Sequence, residues 1–319
     1  MSIEVSAIFH NFAAEKKQYA RHMEAKEMHN IYRSVCDAPA GSDINIDRLP
    51  HFLDHDTGDN YSPHVHTFYE VIWFEEAGGT HSVDFKDYPV EANSLFFISP
   101  GQAHHFDGIT RHKGILLRFC TDILREEEHG SDLFLKYDIF NAFDSSPYVV
   151  VKNPKTLDYL HSIILRIEEN SHTNDVLAHE IQRLNLNLFL LEVLQNGQRE
   201  GNQMPNSNWQ KPSYVLFVKF RKLVEANFMS GNTLRFYADQ LNVSVKTLGN
   251  SVSECSHKTP LAFINDRIIL EAKRLLRYTR LMVKEIAYRL GYEDPSYFVK
   301  FFKRETGMLP SEFREETTA

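Results

Sequence analysis

The sequence predicts an α+β protein of two domains, an N-terminal β-barrel with a pair of helices and a C-terminal all-α domain with two helix-turn-helix units. Three observations predict this class. Residues 43–151 contain short apolar segments separated by Gly, Pro and Asn, and helical periodicity replaces them from Pro154 onward. Near the C-terminus, one helix–turn–helix pattern occurs twice. The length of 319 residues agrees with about two domains.

Residues 68–101 show the strand pattern of the predicted barrel. The apolar segment FYEVIWF (68–74) is followed by two glycines, then by HSVDFKDYPV (81–90), and SLFFIS (94–99) ends at a Pro-Gly pair. Short strands at this spacing with these turn residues are typical of a sandwich or a small barrel. We therefore assign residues 1–153 to the barrel domain; those before Asp43 have no evident role beyond an arm or a packed helix.

Two helices are predicted over residues 154–200. In the first, apolar residues recur at three- and four-residue steps. The second, about residues 175–198, contains LNLNLFLLEVL (184–194), which is apolar on more than one side. Such a pair packs on the barrel, and we expect it also to form a dimer interface. Residues 201–212, which are polar and rich in Gly, Asn and Gln, predict a linker to the last domain.

Residues 213–319 contain the two helix-turn-helix patterns. In each, a small alanine, Ala238 or Ala287, allows two helices to cross closely. Asn242 and Gly291 then stand where the chain must reverse with left-handed geometry. Each second helix has an N-cap at its start, Ser244 in the first unit and Asp294 in the second.

A longer helix, Pro260–Tyr278, joins the two units. At about 1.5 Å per residue it spans about 28 Å, which approaches the roughly 34 Å of one turn of B-DNA. The second helices of the two units could therefore enter successive major grooves on one face of a duplex. Among its charged residues, Arg267 is expected to contact phosphate or solvent, and Arg274 to project away from the core.

The charge distribution agrees with contact to nucleic acid. The net charge is −8, but residues 214–319 hold 17 basic and 12 acidic residues, a net of +5, and the rest of the chain is at −13. A basic module attached to an acidic one suits a DNA-binding domain joined to a domain that does not touch DNA. No secretory signal or membrane-spanning segment is visible, and three isolated cysteines indicate a reducing compartment, so we expect a cytoplasmic protein.

The segment VKEIAYRLGYEDPSYFVKFFKRETGMLPSEFR (283–314) closely resembles the signature of the AraC/XylS family of bacterial transcription regulators. The resemblance covers residues 214–314, including the upstream unit and the long helix. It implies sequence-specific DNA binding by two helix-turn-helix units, and core positions for Phe298 and Phe302.

The resemblance also implies which side chains face DNA. The first unit would present Lys246, Gly249, Asn250 and Ser253, and the second would present Pro295, Ser296, Val299 and Lys300. Lysines at these positions could reach guanine edges or phosphates, and asparagine could read adenine. Lys303 and Arg304 would contact phosphates or stay solvated. Because Gly249 and Ser253 are short, we expect the second unit to carry much of the affinity.

The N-terminal domain resembles the cupin-like sensor domains fused to such regulators. In PHVHTFYE, His64 and His66 are two apart and Glu70 follows four later, so all three share one face of an extended strand. His104 follows a Pro-Gly pair, as in the second cupin motif. The resemblance implies an effector pocket with His64, His66, Glu70 and His104. Because a barrel of this size can enclose one small ligand, we add Phe85 as an aromatic residue that could line the cavity. No cofactor and no metal are expected; a metal, if any, would use the three histidines and the glutamate.

The sequence therefore predicts a regulator, most simply an activator, whose DNA binding a small-molecule effector controls. The effector is not identified, and a sugar is the leading candidate. The expected partners are double-stranded DNA, the effector, RNA polymerase and a second copy of the chain, with no membrane and no catalysis. A metal-dependent cupin enzyme and a pure protein-binding module are the alternatives, and both explain the C-terminal signature less well.

Overall fold

The computed structural model describes residues 44–49, 63–66, 68–107, 113–120, 123, 140, 147–171, 175–199, 211–230 and 233–318. The arm or helix considered for the first 43 residues and nearly all of the predicted linker lie outside these ranges. Within them, no helix is long and apolar enough to cross a membrane.

The described part of the N-terminal domain is built from two antiparallel sheets. The strands are β1 (Ile44–Leu49), β2 (Tyr69–Phe74), β3 (Thr80–Val83), β4 (Lys86–Pro89), β5 (Ser94–Ile98), β6 (His104–Asp107), β7 (Gly114–Phe119) and β8 (Tyr148–Val150). One sheet has the order β1-β7-β2-β5-β8 and the other β4-β3-β6. The β-rich N-terminal domain that the sequence predicts is confirmed.

Strand β2 separates two apolar compartments by alternation of its side chains. Ile72 and Phe74 point between the two sheets, where they pack with residues of β3, β5 and β6. Val71 and Trp73 point to the other side, against the helices. Glu70 has the same parity as Ile72 and Phe74, so the fold places its carboxyl group on the side that faces the second sheet.

Helices α1 (Pro154–Ser171) and α2 (Val176–Arg199) cover the outer face of the five-stranded sheet. The face of α1 that the periodicity predicts is buried, with Leu160, Ile163, Ile164 and Ile167 inside the cluster. The ring of Trp73 on β2 stacks at 4.3 Å on His161 of α1. The helical pair is therefore fixed to the barrel by an apolar core of its own.

The C-terminal domain is all-helical. Its helices are α3 (Pro212–Asn227), α4 (Leu234–Gln240), α5 (Val245–Ser256), α6 (Pro260–Tyr278), α7 (Val283–Arg289), α8 (Pro295–Thr306) and α9 (Pro310–Thr318), with a 3₁₀ turn at Phe228–Ser230. Helices α4 and α5 form the first helix-turn-helix unit, α7 and α8 the second, and α6 joins them. Ala238 and Ala287 are almost fully buried where the helices of each unit meet.

The local signals that predicted the two units are confirmed. Asn242 and Gly291 have positive φ values of 55° and 87° in the two turns. Ser244 Oγ accepts a hydrogen bond from the Thr247 amide at 3.0 Å, and Asp294 Oδ1 accepts one from the Ser296 amide at 2.8 Å. Each turn and cap is specified within a few residues. The sequence alone therefore defines where α5 and α8, the second or recognition helix of each unit, begin.

The long helix α6 has the predicted bounds, but two of its arginines differ from expectation. Arg267 is buried and donates to Glu225 at 2.9 Å and to Glu271 at 3.0 Å, so the phosphate or solvent role expected for it is wrong. Arg274 is also buried. Positions 267, 271 and 274 recur on one side of the helix, and that side packs against other elements rather than solvent.

Candidate functional site: two recognition helices and a buried histidine cluster

The first recognition helix, α5, presents the predicted DNA-facing residues to solvent. Lys246, Asn250 and Ser253 are exposed and Gly249 is partly exposed. The opposite side of the helix is buried through Leu248, Ser251 and Val252. No heavy atom would lie within 4 Å of a Cβ at Gly249. The glycine is therefore not required by a close contact within the protein, and this part of the helix offers a smooth surface.

The second recognition helix, α8, presents a larger and more basic surface. Ser296, Lys300, Lys303 and Arg304 are exposed, and Pro295 and Val299 are partly exposed. Arg304 forms an ion pair with Glu305 at 2.6 Å. The expected core residues Phe298 and Phe302 are fully buried, which confirms their structural role.

Tyr297 on α8 is a surface residue that the sequence analysis missed. Its side chain is 71% exposed, whereas its neighbour Phe298 is fully buried. Tyr297 and Phe298 are adjacent in the AraC/XylS signature. Only the helical period indicates that they lie on different sides of α8. An exposed tyrosine beside Ser296 and Lys300 adds an aromatic ring with a hydroxyl group to the surface that the sequence predicts to face DNA.

A second candidate site lies between the two sheets of the barrel. His66, Glu70 and His104 are all buried, and their ligand atoms lie within 4.8 Å of one another. Glu70 Oε2 is 3.5 Å from His66 Nε2 and 3.6 Å from His104 Nε2. Glu70 belongs to β2 in one sheet and His104 to β6 in the other, so the cluster spans the gap between the sheets.

The hydrogen bonds around the cluster define its available atoms. His66 Nδ1 lies 2.7 Å from the carbonyl oxygen of Phe68 and must donate to it. In the neutral ring, Nε2 is then an acceptor that points toward Glu70. Neither His66 Nε2 nor His104 Nε2 has a hydrogen-bond partner among the described residues. The centre of the cluster therefore offers polar atoms that no described residue satisfies with a hydrogen bond.

His81 on β3 belongs to this cluster although the sequence analysis did not select it. Its ring is fully buried, and His81 Nε2 lies 3.1 Å from His104 Nδ1. The rings of Phe96 and Phe106 pack around it at 4.5 and 4.7 Å. His81 lies outside both cupin-like motifs. The one available signal was that His81 and the apolar Val83 are two apart on β3 and therefore point to the same side.

Burial keeps these rings neutral. Desolvation lowers the pKa of His81 and of His104 well below the ordinary value, and neighbouring histidines lower both further. In His104, the carboxyl group of Glu70 thus faces a ring that resists protonation. A buried carboxyl group that also faces the acceptor His66 Nε2 is best satisfied by an incoming hydrogen-bond donor or a cation.

Three of the four residues of the possible metal set converge. Two imidazole nitrogens and one carboxylate form an N₂O set that fits a divalent transition-metal ion. His64 is not part of this convergent group. It pairs with His104 through the backbone, and its ring lies 4.3 Å from the His104 ring.

Phe85, the remaining predicted pocket residue, does not join the cluster. It is 39% exposed, and its ring lies 5.7 Å from that of Tyr278 and 6.1 Å from that of Phe313, both in the C-terminal domain. The reason is local. Asp84 and Phe85 are the two central residues of the β3–β4 turn, where positive φ values carry the side chains away from the barrel interior.

Comparison with known proteins agrees with this organisation. The AraC-like ligand binding domain model matches residues 51–183, and the helix-turn-helix domain model matches residues 237–316. Together they define a transcriptional regulator in which a ligand-binding domain precedes a DNA-binding domain. The chain belongs to the AraC family of these regulators.

The chain resembles several characterised members of this class. It is 24% identical to the HTH-type transcriptional activator RhaR of Enterobacter sp. (strain 638), over 81% of this chain and 88% of that protein. It is 23% identical to RhaS of Escherichia coli (strain K12), over 80% and 88%. Among solved structures, ToxT from Vibrio cholerae is 13% identical and covers 86% of this chain and 98% of its own, with a TM-score of 0.39.

The neutral histidines predict a pH dependence of stability. Unfolded histidines take up protons below about pH 6.5, whereas folded His81 and His104 do so only at lower pH. The free energy of unfolding should therefore fall as the pH is lowered from about 7 toward the folded pKa, and be unaffected above neutrality. We expect His81→Gln to make this dependence shallower in urea denaturation between about pH 5 and 7.5.

His257→Asn, at an exposed histidine of the C-terminal domain, is the matched control and should keep the wild-type slope. Equal slopes for the wild type and His81→Gln would show that the buried ring is not held neutral.

Proposed function

We propose that this regulator is an activator that binds operator DNA as a homodimer, contacts RNA polymerase, and is controlled by a small molecule bound in its barrel. The observation that carries this proposal is the pair of recognition helices with solvent-exposed polar faces at the two ends of α6. The relatives named above are transcriptional activators, which supports activation. We further propose a cytoplasmic protein without catalytic activity.

The two recognition helices differ in what they can read. On α8, the exposed Lys300 can reach a guanine edge or a phosphate from a helix that also carries Lys303 and Arg304. On α5, Lys246 has the same reach, but Asn250 is shorter and Gly249 contributes no side chain. The second unit should therefore supply most of the base contacts, with a second copy of the chain adding a further pair of helices.

The chemistry of the barrel cluster restricts the class of effector. His66 Nε2 and the Glu70 carboxyl group are acceptors that face each other in a buried site. A ligand rich in hydroxyl or amino donors would satisfy them, whereas a carboxylate would bring further acceptor oxygens against these acceptors. We therefore propose a donor-rich effector, with a sugar as the leading candidate, ahead of aromatic or fatty acids.

We do not assign a resident cofactor or metal to the barrel. A divalent cation would bind to His66, Glu70 and His104, and its positive charge would satisfy the buried carboxyl group. Within the part of the chain that the structure describes, these three groups are one ligand short of a closed tetrahedral site. The effector is therefore the occupant that we propose, and the metal is an outcome that the experiment below distinguishes.

Helix α2 offers a surface for the second copy. Apolar residues recur along it at alternating four- and three-residue steps, the spacing of a coiled-coil seam: Leu177, Ile181, Leu184, Leu188 and Leu191. Three of them are well exposed, at 69% for Leu177, 52% for Leu184 and 37% for Leu191. The helix buries its other side against the barrel and α1, and Leu188 packs partly on that core. We propose that the three exposed leucines pair with the same residues of another chain.

Selection of binding sites from genomic DNA by the purified full-length protein tests the DNA-binding proposal. We expect a shared motif with two major-groove elements, and Lys300→Ala should weaken binding to it by about 1–3 kcal/mol because a base contact is lost. Lys219→Ala, which removes the same charge from the exposed side of α3, should change affinity little. Equal losses of affinity in the two variants would show that Lys300 does not contact a base. An equal loss of affinity of the Lys300→Ala variant for unrelated DNA would show the same.

Thermal denaturation with a panel of sugars, polyols, urea-like compounds, aromatic acids and fatty acids tests the effector class. We expect donor-rich compounds to raise the Tm and Glu70→Gln to abolish the rise, because the amide replaces an acceptor oxygen with a donor. Glu91→Gln, at an exposed position, is the control. Stabilisation by acids that survives Glu70→Gln contradicts the proposal. Elemental analysis after incubation with divalent metals shows separately whether a cation occupies the cluster.

Sedimentation equilibrium tests the dimer. The double variant Leu184→Glu/Leu191→Glu should be monomeric, because it places like charges opposite each other in the proposed seam. Leu165→Glu, at a 53% exposed position on α1, should leave the dimer intact. A dimer that persists in the double variant would show that the interface lies elsewhere on the protein.

A further inference from the structure

We infer that a contact between the two domains is autoinhibitory: it holds the acidic sensor domain against the DNA-binding domain and thereby lowers DNA affinity. We call this contact the interdomain clasp. It consists of Asp84 and Phe85 in the β3–β4 turn, with Arg274, Tyr278 and Phe313 of the C-terminal domain. The inference rests on the proposed DNA-binding function and adds the regulation of that function.

The polar half of the clasp is a buried, two-pronged ion pair. Arg274 Nε donates to Asp84 Oδ1 at 2.8 Å, and Arg274 Nη2 donates to Oδ2 at 2.7 Å. The two side chains are only 6% and 10% exposed. Burial opposes the charge on Arg274, but the neighbouring Asp84 and Glu271 outweigh it and raise its pKa. Removal of the Asp84 charge would therefore leave a buried cation short of its main partner, a state that opening of the interface relieves.

The apolar half depends on an unusual turn residue. Asp84 and Phe85 have φ values of 46° and 67°, a conformation for which two-residue hairpin turns favour Asn-Gly. Phenylalanine is a poor choice on local grounds, since its Cβ is strained at positive φ. Its ring, however, stacks on Tyr278 at 5.7 Å and meets Phe313 edge-on at 6.1 Å. Phe85 therefore disfavours the turn locally, but its ring contacts the other domain.

The clasp is built on the same segment as the histidine cluster. The Gly101 amide donates to the His66 carbonyl at 2.8 Å. Gln102 Nε2 and the Ala103 amide then donate to the carboxylate of Asp84 at 3.1 and 3.2 Å. His104, the next residue, is part of the cluster. A ligand that shifts His66 or His104 consequently moves the groups that hold Asp84 in place, which gives the effector a short path to the interface.

The sign of the effect follows from charge and exposure. The recognition helices stay exposed with the clasp closed, so the barrel does not cover their DNA-facing sides. Over the full sequence, the chain before residue 214 nevertheless carries a net charge of −13, and its described β3–β4 turn is held against a module of +5. Phosphates repel such a domain, and opening the clasp lets it move away. The inhibition should therefore be strongest at low salt, where screening is weakest.

Asp84→Asn in the full-length protein tests the clasp, because it keeps the shape of the side chain and removes its charge. We expect faster hydrogen–deuterium exchange in the β3–β4 turn and along α6, and at least fivefold tighter binding to the selected DNA at low salt. Asp87→Asn, three residues further along the same hairpin and exposed, is the matched control and should behave as the wild type.

Phe85→Gly provides a second route that does not depend on a buried charge. Glycine relieves the positive-φ strain, so the barrel should be at least as stable while the apolar half of the clasp is lost. Exchange and DNA affinity should change in the same direction as in Asp84→Asn. Agreement between the two variants would assign the effect to the clasp rather than to damage in either domain.

The other results each overturn part of the inference. Faster exchange with unchanged or weaker DNA binding would show that the contact is not inhibitory. Unchanged exchange in both variants would show that these residues do not hold the domains together. Absence of any selected DNA motif, with the wild type and with both variants, would instead refute the proposed function, and the exchange data would still report on the clasp.

Discussion

The carboxylate of Asp84 is the point on which the relation between the two domains depends. It accepts hydrogen bonds from Gln102 and Ala103 in the barrel and from Arg274 in the DNA-binding domain, and it is nearly buried. A buried carboxylate is stable only when donors surround it. Both domains therefore contribute to satisfying one side chain, and neither can move away without exposing or orphaning part of this network.

This arrangement differs from an apolar domain interface in its response to small displacements. Apolar contacts weaken gradually as surfaces slide, whereas a two-pronged ion pair at 2.7–2.8 Å has a narrow range of acceptable geometry. The interface also continues on α6 through Glu271, which accepts from Arg267 at 3.0 Å. A contact of this kind has two distinct states, closed or hydrated, and a two-state element is what an allosteric ligand needs to act on.

The sequence predicts the parts of this protein that local chemistry specifies. The turns at Asn242 and Gly291 and the caps at Ser244 and Asp294 define both recognition helices within a few residues each. Even spacing placed His64, His66 and Glu70 on one face, and only the resemblance to the second cupin motif added His104. Three of these four residues converge in the structure, so the resemblance, rather than the strand period alone, related residues of the two sheets.

The features that the sequence did not reveal all depend on partners far along the chain. Arg274 meets Asp84 across 190 positions, and Arg267 meets Glu225 across 42, so no local pattern distinguishes these arginines from the solvated ones on the same helix. The sequence predicts Phe85 in the pocket only because an aromatic residue of a small barrel can line its cavity. Its position in a two-residue turn indicates the opposite, because the side chains of turn residues point away from the sheet that the turn connects.

Phe85 also illustrates how a locally unfavourable residue can indicate function. A phenylalanine at positive φ costs stability in the isolated hairpin, and the barrel gains nothing in return, because the ring leaves the barrel for Tyr278 and Phe313. The compensation lies in the other domain. The strain is therefore present in the closed arrangement and is compensated only while the two domains are in contact. Local strain and a buried ion pair thus oppose each other across a single turn, so a ligand that weakens the ion pair acts in the same direction as the strain.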